Sequence, residues 1–261
     1  MSSIRDYYRS SSDYRTMLDA QDERIFAPYV ALFRTHAEPG TPVIDVGCGV
    51  GASTRLLRGA GFEAIGTDVS ERFLPDGEEG FVVADFESAP HIPTGAYAAA
   101  GALNVIEHME HPRRFLAELT RVVRPGGHVI LLSPNLTSPL VGIRALRDLA
   151  TGAPTYLAVQ TGREASALVA VNLARSIRAA LGHDGFQRRE PRLDVGTSGY
   201  DADAVYWSNA AEVRRFLERR GCRIVVFQGR GRTRAARLIA RWLPSFAGQL
   251  QIVAQKPAAS P

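Results

Sequence analysis

Residues 43–51 read VIDVGCGVG, the most informative segment of the sequence. Its apolar start, 43–46, is typical of a short strand that is buried on both faces of a parallel sheet. The glycines that follow allow positive φ angles and a close approach between the backbone and a ligand. A helical pattern begins at Ala52, so the backbone N–H groups of the first helical turn face the same loop. Together these features predict a strand–turn–helix unit that holds a nucleoside-type ligand.

The glycine turn alone does not identify that ligand. Gly47, Gly49 and Ala52 also match the dinucleotide fingerprint, which tolerates alanine at its third position. A tight turn without any ligand fits the same residues. The choice therefore depends on the residues that follow the later strands.

Strands and helices alternate on both sides of this unit. Further strands are predicted at 62–66, 81–85, 97–103, 128–132, 223–227 and 249–254, and helices at 52–60, 112–123, 209–220 and 233–243. This alternation is typical of an α/β fold, so we predict a Rossmann-like, doubly wound sheet of seven strands. Residues 1–38 have a helical pattern. Residues 136–206 fit the alternation poorly, and their helices at 140–149 and 164–181 predict a helical insertion within a single domain, 1–261.

Acidic residues end three successive strands: Asp45, Asp68 and Asp85. Ligands of open α/β sheets bind along the carboxyl edge of the strands, where these three side chains would meet. Asp68 follows Gly47 by 21 residues, a position from which a carboxylate can accept the hydroxyls of a ribose. Phe86 follows Asp85, and its ring would pack beside a purine. The pattern therefore predicts an adenosine-type ligand at this edge.

Two further segments, 104–112 (NVIEHMEHP) and 124–127 (RPGG), complete a family pattern. Over about residues 40–135 and 205–256 the chain resembles class I S-adenosylmethionine-dependent methyltransferases, particularly the branch that includes ubiquinone-biosynthesis O-methyltransferases. The resemblance implies S-adenosylmethionine as cofactor and S-adenosylhomocysteine as product. It also implies a methionine site at the glycine turn, a ribose site after the second strand and an adenine site after the third. The cofactor-binding residues implied are Asp45, Gly47, Cys48, Gly49, Asp68, Val69, Asp85, Phe86 and Asn104.

The chemistry expected of such an enzyme is in-line methyl transfer, for which the protein mainly aligns the acceptor. An oxygen acceptor must lose its proton, and histidine is the usual base near neutral pH. His108 follows the fourth strand and is the predicted general base. The alternative is that Glu107 and His108 form a structural pair that fixes their loop.

The acceptor is expected to be a small molecule, with a natural-product, sugar or quinone-like hydroxyl as the methylated group. The insertion 136–206 is predicted to form the acceptor-binding cap, with helix 164–181 over the pocket and His111, Tyr206 and Trp207 lining it. Core packing is the alternative for Tyr206 and Trp207, and a helix-capping or surface role is the alternative for His111. Helix 164–181 could instead contact another subunit or lipid. The N-terminal helical region, 1–38, is predicted to be a lid that carries Tyr7, Tyr8 and Tyr14; packing of the first helix against the sheet is the alternative.

Three other functions compete with this prediction. Residues 207–261 carry eleven basic side chains against two glutamates, which would suit an RNA methyltransferase. Because 30 of the 31 basic residues of the chain are arginine, the excess of basic side chains at 207–261 is better explained by overall amino-acid composition. Nucleic acid is therefore not an expected partner. A non-catalytic cofactor-binding protein is the second rival. A nicotinamide oxidoreductase is the third, because the glycine turn also matches the dinucleotide fingerprint. No metal is predicted, although Glu107, His108, Glu110 and His111 are ligand types that Asp201 and Asp203 could complete.

Bulk composition sets the remaining expectations. With 45% hydrophobic and 22% charged residues, the chain is typical of a globular protein. It shows no signal-peptide pattern and no apolar run long enough for a membrane span. Its two cysteines, Cys48 and Cys222, are far apart and form no metal-type pair. We therefore expect a cytoplasmic monomer or homodimer.

Overall fold

The computed structural model describes residues 4–10, 12–19, 21–183, 185–193, 201–229 and 234–259. Within them lies one seven-stranded sheet with the order β3-β2-β1-β4-β5-β7-β6. The strands are β1 (Pro42–Val46), β2 (Glu63–Asp68), β3 (Phe81–Val83), β4 (Tyr97–Leu103), β5 (Val123–Pro134), β6 (Arg223–Gly229) and β7 (Gln249–Gln255). This architecture confirms the predicted Rossmann-like, doubly wound fold.

The sheet is parallel from β3 to β5, and β7 runs antiparallel between β5 and β6. Strand β1 is central, since Ile44 pairs with Ile65 of β2 on one side and with Ala100 of β4 on the other. The strand order reverses between β1 and β4, and open α/β sheets bind ligands at such a switch point. The glycine turn after β1 lies at this point.

Helices cover both faces of the sheet. They are α1 (Ile4–Ser10), α2 (Ser12–Asp19), α3 (Ala27–His36), α4 (Ala52–Gly59), α5 (Pro112–Val122), α6 (Pro139–Thr151), α7 (Gly162–Ala180), α8 (Ala210–Arg219) and α9 (Arg234–Trp242). Phe115 of α5 and Leu217 of α8 belong to the core on one face, and Phe33 of α3 and Leu57 of α4 to the core on the other. Within the described residues, no helix combines the length and the apolar character needed to cross a bilayer.

Strand β5 begins earlier than the sequence predicts. Val123 pairs with Tyr97 of β4, and pairing then resumes between His128 and Ala99. Residues 124–127, expected only to close α5, therefore form a bulge that interrupts the ladder. Gly126 has φ +78°, and its N–H donates to the carbonyl of Lys256 at 3.1 Å. The bulge thus connects β5 to the segment that follows β7.

The predicted helices of the insertion are present as α6 and α7, which pack against each other. Polar side chains of α7 fix the segment that leaves β5. Asn172 Nδ2 donates to the carbonyl of Leu136 at 2.8 Å, and Ser176 Oγ donates to the carbonyl of Thr137 at 2.8 Å. These buried hydrogen bonds attach the insertion firmly to the end of the sheet.

A close approach between α3 and β4 gives a test of this packing. A Cβ added at Gly101 would overlap Tyr29 Oη and the Phe33 ring, so Gly101→Ala is expected to lower the free energy of unfolding by about 1–3 kcal/mol. The control is Gly59→Ala, because Gly59 ends α4 with open space around it and alanine is the better helix former. Chemical denaturation measures both changes. Equal stability of the two variants would contradict the close approach.

Candidate functional site

A cavity of about 1070 Å³ lies at the carboxyl ends of β1, β2 and β4. The glycine turn forms one wall. The N-terminal helices form another, with Ile4 and Tyr8 of α1 and Met17 and Leu18 of α2. The lid assigned to residues 1–38 stays a prediction, and Tyr14, whose side chain lies outside the described part of the structure, has no assigned place.

The turn after β1 depends on three glycines. Gly47, Gly49 and Gly51 have φ angles of +71°, +53° and +80°, a region that side chains with a Cβ rarely adopt. A Cβ at Gly47 would overlap the Val105 side chain, and one at Gly51 would lie 2.6 Å from the Phe81 ring. The sequence prediction placed Gly51 in this turn but did not count it among the cofactor-binding residues.

Asp45 supports this turn from inside the protein. Its carboxylate is 1% exposed and accepts hydrogen bonds from Tyr29 Oη at 2.8 Å, Ser53 Oγ at 2.6 Å and Thr54 Oγ1 at 2.7 Å. Burial raises the pKa of Asp45, and the three hydroxyl donors oppose that shift. Because both carboxylate oxygens contact protein hydroxyls, the geometry favours a positioning role over the predicted direct contact with the cofactor.

Asp68 at the end of β2 is the acidic group best placed for a ligand. Its Oδ2 accepts from the Gly49 N–H at 3.0 Å and its Oδ1 from the Ser70 N–H at 3.1 Å. Burial raises the pKa of this carboxyl to about 6, against the effect of these backbone donors. Both oxygens of the Asp68 carboxylate keep lone pairs at the cavity wall, so this group can accept hydrogen bonds from two vicinal hydroxyls.

The other predicted cofactor residues line the same cavity. Asp85 Oδ1 accepts from the Glu87 N–H at 2.9 Å, and the neighbouring Phe86 ring is 4% exposed. Asn104 is exposed at the end of β4. Its φ angle of +54° is a strained conformation, and residues with such backbone strain cluster at ligand sites. The cavity-lining residues include all nine that were predicted for the cofactor: Asp45, Gly47, Cys48, Gly49, Asp68, Val69, Asp85, Phe86 and Asn104.

His108 lies at the cavity wall within a cluster of hydroxyl and carboxyl groups. Its Nδ1 is 2.9 Å from Tyr8 Oη and 3.6 Å from Asp203 Oδ2. Tyr8 Oη in turn donates to Asp203 Oδ2 at 2.7 Å. On the opposite side of the ring, His108 Nε2 lies 3.9 Å from Glu107 Oε1. Tyr8 was predicted only for the lid and Asp203 only for a metal, so the sequence did not show their contact with His108.

The charges of this cluster act on each other. Burial favours the neutral imidazole, but the charges of Asp203, Glu107 and Asp201, together with a hydrogen bond to the Asp203 backbone, outweigh it and raise the pKa of His108. Burial raises the pKa of Glu107 to about 7, and the opposing charge of His108 limits the shift. Glu107 Oε2 accepts from Ser133 Oγ at 2.8 Å, while Oε1 has no hydrogen-bond partner in the part of the chain that the structure describes. A carboxyl group and an imidazole whose pKa values are both raised therefore face each other.

The three residues predicted for the acceptor lie elsewhere, since none is among those that line the cavity. His111 is exposed at the start of α5, where its N–H donates to Glu87 Oε1 at 2.7 Å. Tyr206 is 1% exposed and donates to Glu212 Oε2 at 3.0 Å. Trp207 packs under the Arg175 guanidinium at 4.3 Å. The structure thus corrects the assignment of His111, Tyr206 and Trp207 to the acceptor pocket.

The insertion also contacts the cavity differently from the prediction. Residues 152–154, after α6, line it, whereas no residue of α7 does. Helix α7 instead leaves Val171, Leu173 and Ile177 exposed on the surface. The expectation that this helix covers the acceptor pocket is therefore wrong.

Metal-ligand atoms of Glu107, His108 and Asp201 lie within 4.8 Å of one another. Glu110 and His111, the other ligand types noted in the sequence, do not line the cavity. His108 Nδ1 and Glu107 Oε2 already contact hydroxyl groups. The contacts that the structure shows for this cluster are those of an acid–base network.

Comparisons with known proteins agree with this geometry. Residues 44–131 match the family described as a methyltransferase domain. A 2-methyl-6-phytyl-1,4-hydroquinone methyltransferase from Synechocystis is 35% identical over 106 residues, which cover 37% of this chain and 33% of that protein. A ubiquinone biosynthesis O-methyltransferase from Methylococcus capsulatus is 33% identical over 105 residues, covering 37% and 44%. The chain thus spans less than half the length of these two relatives.

Among solved structures, magnesium protoporphyrin IX methyltransferase from Synechocystis with bound S-adenosylhomocysteine shares the fold. The TM-score is 0.56 at 18% identity, over 97% of this chain and 98% of that one. The family match includes the glycine turn, Asp68, Asp85 and His108.

The chain therefore resembles S-adenosylmethionine-dependent methyltransferases in the family match over residues 44–131 and in its fold. Its cavity suits that cofactor, because the carboxylate of Asp68 can accept ribose hydroxyls and Phe86 can pack beside an adenine. The positive φ angles of the glycine turn give the methionine part access to the backbone. The residues that line this cavity therefore fit S-adenosylmethionine.

Replacing Asp68 tests the ribose site. Asp68→Ala is expected to weaken binding of S-adenosylhomocysteine by about 1–3 kcal/mol, since a charged hydrogen-bond acceptor is lost. Isothermal titration calorimetry measures the change, with Asp76→Ala as the control because Asp76 is exposed and lies outside the cavity. Unchanged affinity in Asp68→Ala would defeat the assignment.

The raised pKa of Asp68 predicts a pH dependence of the same binding. Hydroxyl donors bind the carboxylate better than the carboxylic acid, so a bound ribose lowers this pKa below its value of about 6 in the free protein. Affinity is therefore full above about pH 7 and falls as the pH decreases through about 6. Calorimetry across this range should show the loss in the wild type and a flatter profile in Asp68→Asn. The same profile in both would contradict the prediction.

Proposed function

We propose that this protein transfers the methyl group of S-adenosylmethionine to a hydroxyl group of a small molecule. The observation that carries the proposal is the position of His108, which shares one cavity with the nine residues that were predicted for the cofactor. A base beside the cofactor site is what an oxygen acceptor requires. The identity of the acceptor atom is part of the proposal.

The cofactor supplies an activated methyl group on a sulfonium, and the protein supplies alignment and proton removal. In the proposed arrangement the glycine turn and Asn104 hold the methionine part, Asp68 and Val69 the ribose, and Asp85 and Phe86 the adenine. Asp45 acts through its three hydroxyl donors to hold the turn in place.

Proton removal is assigned to His108. As the acceptor oxygen forms its bond to the methyl carbon and the carbon–sulfur bond breaks, the hydroxyl proton passes to the imidazole. Nδ1 is engaged by Tyr8, so Nε2 is the nitrogen left to receive that proton. The nearby Glu107 Oε1, at 3.9 Å, stabilises the imidazolium that results.

A partly apolar acceptor is supported by the cavity wall opposite the turn. Ile4, Met17, Leu18, Ile25 and Phe26 line it, while Asp201, Asp203 and Tyr8 supply polar groups. One relative is named for a phytyl hydroquinone, a molecule that carries phenolic hydroxyls on an apolar body, and another is named as an O-methyltransferase of ubiquinone biosynthesis. We propose an acceptor of this chemical class.

The test is a methylation assay with isotope-labelled S-adenosylmethionine and a metabolite extract that contains phenolic lipids. A labelled methyl ether in the product is the expected result. His108→Gln should lower turnover by about 10²–10⁴-fold, the usual contribution of a general base, with cofactor affinity nearly unchanged. His111→Gln is the matched control, because this exposed histidine lies outside the cavity. Equal turnover in the two variants would contradict the role of His108.

The same assay separates the alternatives. Loss of turnover with EDTA and its recovery with a divalent cation would assign Glu107, His108 and Asp201 to a metal and overturn the metal-free mechanism. Tight cofactor binding without product from any extract would favour a non-catalytic binding protein. Labelled RNA would favour an RNA methyltransferase that uses the exposed arginines of α9; Arg230 and Arg232 of the same basic segment lie outside the described residues.

A further inference from the structure

The N-terminal helix α1 contributes a side chain to the predicted base. Tyr8 is 7% exposed, and its hydroxyl lies between His108 Nδ1 and Asp203 Oδ2. Three distant segments of the chain meet at this hydroxyl: α1, the loop after β4 and the end of the insertion.

The position of Asp203 is set by the backbone. The N–H groups of Val205 and Tyr206 both donate to the carbonyl oxygen of Glu107, at 2.8 and 2.9 Å. This pair of hydrogen bonds attaches residues 201–206 to the loop that carries His108. The Asp203 carboxylate is therefore held 3.6 Å from Nδ1, too far for a direct hydrogen bond, and Tyr8 bridges the interval.

The direction of the hydrogen bonds follows from the number of protons. A carboxylate can only accept, and a tyrosine hydroxyl has one proton to donate. Tyr8 donates that proton to Asp203 at 2.7 Å, so its oxygen must accept from His108. The imidazole proton then lies on Nδ1, and Nε2 keeps a lone pair.

A competing group acts on the other nitrogen. Glu107 Oε1 lies 3.9 Å from Nε2 and finds no hydrogen-bond partner among the described residues. This oxygen favours the opposite tautomer, in which Nε2 carries the proton and cannot serve as a base. Tyr8 and Asp203 on one side thus oppose Glu107 on the other, and Asp201 adds negative charge nearby.

We propose that Tyr8 is a positioning residue that fixes the proton of His108 on Nδ1, so that the base is complete only when helix α1 is seated over the cavity. This inference rests on the proposed role of His108. It makes the N-terminal region part of the acid–base machinery, where closure of a covering segment completes the reactive site. A lid that only excluded solvent would have no need of this hydroxyl.

The experiment measures the tautomer directly and requires no acceptor. Protein labelled with ¹⁵N-histidine is freed of metal with EDTA, saturated with S-adenosylhomocysteine and titrated by two-bond ¹H–¹⁵N correlation NMR. The His108 signals, among those of six histidines, are assigned by their loss in His108→Gln. The wild type should show a proton on Nδ1 and a titration midpoint above the ordinary value of about 6.5.

Two variants and one control then test the bridge. Tyr8→Phe should move the proton towards Nε2. Asp203→Asn should do the same and lower the midpoint by about one pH unit, because an opposite charge is removed. Tyr7→Phe, which deletes a hydroxyl from the same helix outside the cavity, should leave both readouts at wild-type values.

Each other outcome overturns the inference. A wild-type proton on Nε2 would contradict the assigned hydrogen-bond directions. If the proton of His108 moves in Asp203→Asn but stays on Nδ1 in Tyr8→Phe, Asp203 acts directly and Tyr8 is not the bridge. These readouts do not depend on turnover, so they stay distinct from a failure to find methyl transfer.

Discussion

A buried negative charge at the end of β1 is the constraint on which the site depends. Asp45 lies in the centre of the sheet, where an unpaired carboxylate would cost several kcal/mol. Its three hydroxyl donors come from α3 and from the first turn of α4, so satisfying the charge also fixes both helices against β1. The glycine turn between β1 and α4 is thereby held in one conformation, as a close-fitting cofactor site requires.

The acceptor side of the cavity depends on a different kind of constraint. There the carbonyl oxygen of Glu107 accepts two backbone N–H groups from the segment that returns from the insertion. This contact joins residues almost a hundred positions apart and places Asp203 beside His108. The cofactor half of the site is thus built within consecutive βα units, whereas the acid–base cluster exists only after distant segments have met.

That difference explains how much of the molecule the sequence predicts. The sheet and the cofactor residues follow from local patterns: an apolar strand, a glycine turn and an acidic residue at each strand end. The contact of Tyr8 with His108 spans 100 residues, and no periodicity or spacing marks it. Tyr206 and Trp207 were wrongly assigned to the acceptor because aromatic residues near a ligand edge have the same pattern as core residues. Asp203, three positions earlier, reaches the cavity in their place.

In the proposed complex, this cavity binds S-adenosylmethionine with its reactive methyl group facing the His108 cluster. A crystal structure of the complex with S-adenosylhomocysteine tests it most directly. We expect ribose hydroxyls on the Asp68 carboxylate, adenine beside Phe86 and the sulfur atom on the side of the cavity that His108 lines. A ligand bound with its ribose away from Asp68, or with its sulfur separated from His108 by the protein wall, would contradict it.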